Sequence, residues 1–197
     1  DICYKKIVMM YKPSLALLVS FIAFQCCKAQ EIVIKFDQIG GTIPEPEQLS
    51  PFKAVWNSAL AHADIDNDGD TDIILSGNNI NTEEIFTDLY LNNGGGNYVL
   101  LEDNGIVGVA DAALAFGDVD GDDDMDLLLS GASEDGATSI LYLNDGNGLF
   151  EDSGVALPSL AEPAVAFMNN GSVLNILMAG LDDGVAKTYL YSNDGEL

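Results

Sequence analysis

Two stretches of the chain place carboxylates at every second position. Asp64, Asp66, Asp68, Asp70 and Asp72 fall within nine residues, and Asp118, Asp120, Asp122, Asp124 and Asp126 repeat the spacing 54 residues later. Acids alternating in this way suit a hard cation. Calcium takes about six to eight oxygen ligands, and a chain coiled tightly around the ion supplies them from alternate residues. In that geometry Asp64, Asp66 and Asp68 offer side-chain oxygens, Asp70 offers its backbone carbonyl, and Asp72 closes the site in bidentate fashion. Asp118, Asp120, Asp122, Asp124 (again through its carbonyl) and Asp126 form the second set. Gly69 provides the positive φ that such a turn needs, and Asp123, which stands in its place in the second loop, tolerates that conformation better than most residues. Without a cation, carboxylates this close repel one another and their pKa values rise. A solvated acidic turn is the competing account of any single loop of this kind, and recurrence of the loop argues against it. An EF-hand would need an acid at the twelfth loop position and a helix after it. Those positions hold Leu75 and Leu129, so that reading fails.

The loops sit in a larger repeat. Residues 59–77 align without gaps on residues 113–131, and residues 89–98 (LYLNNGGGNY) match residues 141–150 (LYLNDGNGLF). Both blocks recur in weaker form over residues 166–180 and 190–195, where Asn169, Asn170 and Asn175 replace the acids, so no metal is expected in the third copy. Residues 73–75 and 127–129 are short apolar runs bounded by an acidic loop and Ser-Gly, which suits buried strands. Residues 87–91 and 139–143 read as further strands ended by Asn/Asp/Gly turns, with a returning strand after each turn. Residues 58–63 and 114–117 add a strand ahead of each loop. Each copy thus supplies about four strands, and repeats of that kind predict an all-β fold of β-propeller blades, each of four antiparallel strands. About three blades are expected, over residues 56–105, 106–157 and 158–197, the last degenerate. A closed propeller usually needs about four to eight, so a partial propeller completed by further blades is expected.

The pattern Asp-x-Asp-x-Asp-Gly-x-x-Asp entering an apolar strand, followed by Leu-Tyr-x-Asn-x-Gly, resembles the FG-GAP/VCBS repeats of integrin α-subunit propellers and of large secreted bacterial proteins. The resemblance implies a blade fold with Ca2+ in the hairpin loop between the first two strands. It assigns the ligands to Asp64, Asp66, Asp68, Asp70 and Asp72 and to their second-copy counterparts. Asp123 and the third loop depart from the family pattern.

Composition narrows the function classes. Against 32 acids stand seven lysines and no arginine, giving a formal charge of -25. Such a chain repels phosphate backbones and anionic headgroups, so nucleic acid and membrane-surface partners are not expected. Residues 15–24 form a short apolar run flanked by Lys12 and Lys28, the layout of a secretory leader over residues 1–29, with residues 1–8 as a possible upstream extension and residues 30–55 as a strand and linker. The run is too short to span a bilayer. Lipid attachment at Cys26 or Cys27 is the alternative, disfavoured by bulky Phe24 and Gln25 ahead of them. The three cysteines, Cys3, Cys26 and Cys27, all fall in this region. After the leader there remain one histidine, three lysines and no cysteine, a thin set for nucleophilic or phosphoryl chemistry. His62 reads as a strand residue. Trp56, Tyr90, Tyr142 and Tyr191 read as packing residues. No enzyme is expected. The expected role is a secreted or cell-surface, calcium-bound scaffold with a protein or glycan ligand; a passive spacer is the alternative, and a hydrolase using other acids a more remote one.

Overall fold

The structure is a computed structural model that describes residues 6–11, 17–25, 28–36, 51–171 and 173–195. No helix occurs among the described residues, and none is therefore long and apolar enough to cross a membrane. The chain divides into two compact units, Asp1–Phe52 and Lys53–Leu197. In the first, β1 (Lys6–Tyr11), β2 (Leu17–Gln25) and β3 (Lys28–Phe36) form an antiparallel sheet in that order. The leader expected over residues 1–29 falls on this segment, and Cys3, Cys26 and Cys27 lie outside the described residues.

The second unit follows the sequence repeat. Its first sheet runs β4 (Val55–Ala63), β5 (Asp72–Asn79), β6 (Ile85–Asn92), β7 (Tyr98–Leu101). The second runs β8 (Ala110–Gly117), β9 (Asp126–Ser133), β10 (Gly136–Asn144), β11 (Phe150–Asp152). The third has β12 (Ala161–Asn169), β13 (Leu174–Asp182) and β14 (Val185–Tyr191). All are antiparallel meanders, and β8 lies between β4 and β12, so the first strands of successive sheets are neighbours. The sheets are blade-like and do not close into a ring. Each first strand is interrupted at the same place: register slips between Trp56 and Ala59, between Ala110 and Ala113 and between Ala161 and Ala164. The residues inside the slips, Asn57, Asp111 and Glu162, have positive φ. The third copy therefore keeps the blade geometry although its acidic loop is gone.

Period-2 alternation makes the middle sheet serve two cores. From β9, Leu127 and Leu129 enter one core with Ile65, Ile74, Leu89 and Phe150, while Leu128 enters the other with Val119, Leu141, Ile176 and Met178. Three consecutive leucines are thus all buried, as a strand covered on both faces requires. Tyr90 and Tyr142 are buried as expected, and each hydroxyl accepts a backbone amide from the segment ahead of its sheet, Lys53 N at 3.4 Å and Val107 N at 3.1 Å. Tyr191 is half-buried against the second core. Trp56 corrects its expected packing role: it is 50% exposed, because the bulge at Asn57 turns the start of β4 out of register with β5.

Side-chain amides at or just after the end of the third strand reach back to the preceding sheet's loop. Asn144 Nδ2, at the end of β10, donates to the Ile65 carbonyl at 2.9 Å, and Asn193 Nδ2, after β14, donates to the Val119 carbonyl at 2.7 Å. Ile65 and Asn144 are both buried, so deleting the amide leaves a carbonyl without a partner away from water. Asn144→Ala is expected to cost about 1–3 kcal/mol. Urea denaturation would show this as a lower midpoint with an unchanged slope.

Candidate metal centre

Each acidic loop bridges the first and second strands of its sheet, so both ends are anchored. The anchor at the far end is a buried acid. Asp72 opens β5 and is fully buried; its Oδ2 accepts from Ile65 N at 2.8 Å and its Oδ1 from Asn92 N at 2.7 Å. Asp126 opens β9 in the same way, taking Val119 N at 2.8 Å and Asn144 N at 3.0 Å. One carboxylate thereby ties its own loop to the third strand of its sheet. In the third sheet Asn175 stands at that place and its Oδ1 accepts from Asn193 N at 3.1 Å, so a neutral amide preserves the link to the third strand.

The loop backbone is held by its own acids. Asp64 Oδ2 accepts from Gly69 N at 3.1 Å, Asp66 Oδ1 from Asp68 N at 3.3 Å and Asp68 Oδ1 from Asp70 N at 2.8 Å. In the second loop Asp118 accepts from Gly121 N and Asp123 N, Asp120 from Asp122 N and Asp122 from Asp124 N. The turn needs left-handed residues: Asn67 and Gly69 have φ of 58° and 91°, Gly121 and Asp123 of 85° and 73°. Asp123 thus adopts the conformation that glycine supplies in the first loop.

Three acids in each loop converge. Oxygens of Asp64, Asp66 and Asp72 lie within 4.8 Å of one another, and so do those of Asp118, Asp120 and Asp126. Asp68 and Asp122 are not in these groups; one oxygen of each accepts the amide two residues on, as Asp66 and Asp120 do. Asp70 and Asp124 point their side chains elsewhere: Asp124 accepts from Asn67 Nδ2 of the first loop, and a Cβ on Gly146 would come within 2.6 Å of its Oδ2. Asp64 Oδ1 is buried and has no hydrogen-bond partner among the described residues, which leaves it able to take a cation. The donor set is all oxygen and all anionic, which fits a hard divalent cation.

Electrostatics report the same strain. Burial raises the pKa of Asp66, with Asp72 and Asp68 adding repulsion. Asp72 is raised by burial, partly offset by the Asn92 and Ile65 amides. Asp120 is raised by burial and by Asp122. Asp126 is pushed up to about 6 by burial, against the amides of Val119 and Asn144. A bound cation would reverse these shifts by favouring the ionised forms.

The feature that residue spacing does not disclose is the role of the asparagine in each Leu-Tyr-x-Asn block. In the sequence it reads only as turn chemistry. In the structure the backbone amides of Asn92 and Asn144 fix the closing aspartates, and the side chain of Asn144 reaches back to the preceding loop. Asn92 instead donates to Thr71 O in its own sheet, and its Oδ1 is buried without a partner among the described residues.

Gly69→Ala tests the loop backbone alone, since an added Cβ would meet nothing within 4 Å. The strained φ is expected to cost about 1 kcal/mol, read from thermal or urea unfolding.

Residues 64–129 match the family model of the FG-GAP-like repeat. No curated protein and no solved structure matched the chain. The match begins at Asp64, the first acid of the first loop, and ends in β9, just beyond Asp126, so it takes in both carboxylate groups and the strands β5 to β8 between them. The chain carries FG-GAP-like repeat sequence over residues 64–129, consistent with an FG-GAP/VCBS repeat protein.

Proposed function

We propose that this chain is a non-catalytic, extracellular repeat module in which calcium at the two acidic loops stiffens a blade scaffold for adhesion or ligand binding. The observation that carries the reading is the repeated convergence of three aspartates, one of them buried, at the same place in two successive sheets. Asp64, Asp66 and Asp72 would hold one ion and Asp118, Asp120 and Asp126 the other, with Asp68, Asp122 and the carbonyls of Asp70 and Asp124 as the further donors expected from spacing. The ion would supply positive charge to buried carboxylates and join the loop to the strand that follows it. The acids of the clusters are occupied in this way, and His62 is exposed on β4, so the reading assigns the chain no chemistry. The calcium-bound loops and the acidic surface suit an extracellular setting, and a protein or glycan is the kind of ligand such a scaffold would present to.

Because a ligand that binds only the folded state stabilises it by mass action, calcium is expected to raise the melting temperature and chelation to lower it. Identical melting curves in excess calcium and in chelator would overturn the proposal.

Protons and calcium compete for the same carboxylates, which gives a pH signature. In chelator, Asp126 binds protons more tightly folded than unfolded, because its folded value of about 6 lies above the ordinary 3.8. Its contribution to stability is therefore full below 3.8 and lost as pH rises through about 6. The metal-free protein is expected to melt higher at pH 5 than at pH 7, whereas the calcium-stabilised increment shrinks over the same fall in pH. Scanning calorimetry at both pH values, with and without calcium, reads the two slopes.

A further inference from the structure

Asn144 is bonded to both acidic loops. Its backbone amide donates to Oδ1 of Asp126, the closing acid of the second loop, at 3.0 Å. Its side-chain Nδ2 donates to the Ile65 carbonyl, inside the first loop, at 2.9 Å. Ile65 in turn donates its own amide to Oδ2 of Asp72, the closing acid of the first loop, at 2.8 Å. The two closing acids are thus joined through Asn144 and Ile65 by an unbroken run of hydrogen bonds. Asp72, Ile65, Asn144 and Asp126 are all buried, so water competes little for those bonds. A second contact joins the loops nearer the surface, where Asn67 Nδ2, between Asp66 and Asp68, donates to Asp124 Oδ1 at 2.5 Å.

The same device recurs one sheet on, with a difference. Asn193 Nδ2 donates to the Val119 carbonyl in the second loop at 2.7 Å, but its backbone amide rests on Asn175, a neutral amide, at 3.1 Å. The latch on the second loop therefore starts from an uncharged anchor. The latch on the first loop starts from Asp126, a buried charge crowded by Asp118 and Asp120. While that charge is uncompensated, the carboxylate that holds Asn144 is under repulsion and places it less firmly. With the charge offset, Asn144 is fixed, and Ile65 and Asp72 with it. Ordering the first loop in advance removes part of the entropy cost of closing it around an ion, which is positive coupling between the sites. Direct repulsion between two bound cations acts the other way, but both loops reach solvent, where water and salt screen it.

We propose that Asn144 is a positioning residue for the first metal site and couples it to the second. The first site takes its ion more tightly once the charge on Asp126 is offset, and the second gains equally from the first by reciprocity. This inference rests on the calcium reading of the two loops.

Two single substitutions empty the second site in different ways while removing the same charge. Asp120→Asn leaves Asp126 buried and charged. Asp126→Asn puts an amide there, whose Oδ1 keeps the Asn144 amide as Asn175 keeps that of Asn193. Isothermal titration of the full chain with calcium chloride is expected to give one ion in each variant. The ion at the first site is expected to bind at least about fivefold more tightly in Asp126→Asn than in Asp120→Asn. Adding Asn144→Ala to both is expected to bring the two affinities together. A second measurement does not depend on those variants folding: Asp64→Asn empties the first site and keeps Asp72. Calcium entering the second site is then expected to slow hydrogen exchange at the Ile65 amide, in a loop that holds no ion, by more than about fivefold. Equal affinities in Asp120→Asn and Asp126→Asn, a difference that persists with Asn144→Ala, or Ile65 exchange indifferent to calcium would each overturn the coupling while leaving two calcium sites in the parent. No saturable binding in the parent would overturn the calcium reading and this inference with it.

Discussion

A carboxylate buried at the start of the second strand holds the acidic half of this fold together. Asp72 and Asp126 each accept one amide from the loop that precedes them and one from the third strand of the same sheet. The loop cannot open without breaking the first bond, and the hairpin beyond cannot shift without breaking the second. Burial makes these acids strong hydrogen-bond acceptors and, at the same time, costly charges. The two amides only partly compensate, and the neighbouring aspartates work against them. A cation between the carboxylates would resolve that conflict, so the proposed metal site rests on the fold's own anchor and not on acidity alone.

The third sheet shows what happens when the conflict is removed at its source. Asn175 keeps the bond to Asn193 N, gives up the charge, and the blade retains its bulged first strand and its three-stranded meander. The scaffold is therefore separable from the acidic cluster. Strand pairing, the two cores and the tyrosine hydroxyls account for the sheet without the buried charge. Sheet-to-sheet attachment uses a different device again, the asparagine amide that crosses to the preceding loop, so that the position of one loop depends on the blade after it.

Much of this is legible in the sequence because the physics is local. The apolar runs at residues 73–75 and 127–129, the Asn/Asp/Gly turns and the 54-residue offset specify strands, hairpins and repeat without long-range information. The acidic loops are legible for the same reason, since residues two apart in a tight turn must be near one another. Spacing does not say which way each carboxylate points. Asp68 and Asp122 turn back onto the backbone, and Asp124 reaches toward Asn67 of the other loop, because left-handed residues at 67, 69, 121 and 123 set the direction of the coil. The asparagine bridges span more than seventy residues, and no local pattern encodes that pairing. Trp56 departs from its expected role because an aromatic in a strand usually packs, whereas here a bulge turns it outward.

Calcium stoichiometry tests the central claim most directly. Isothermal titration of the chelated, full chain is expected to show two ions bound, one for each converging aspartate group. Asp72→Asn and Asp126→Asn, which copy the natural asparagine at position 175, should each remove one ion while leaving the strand content unchanged by circular dichroism. Absence of saturable binding in the parent, or an unchanged stoichiometry in both variants, would contradict the account.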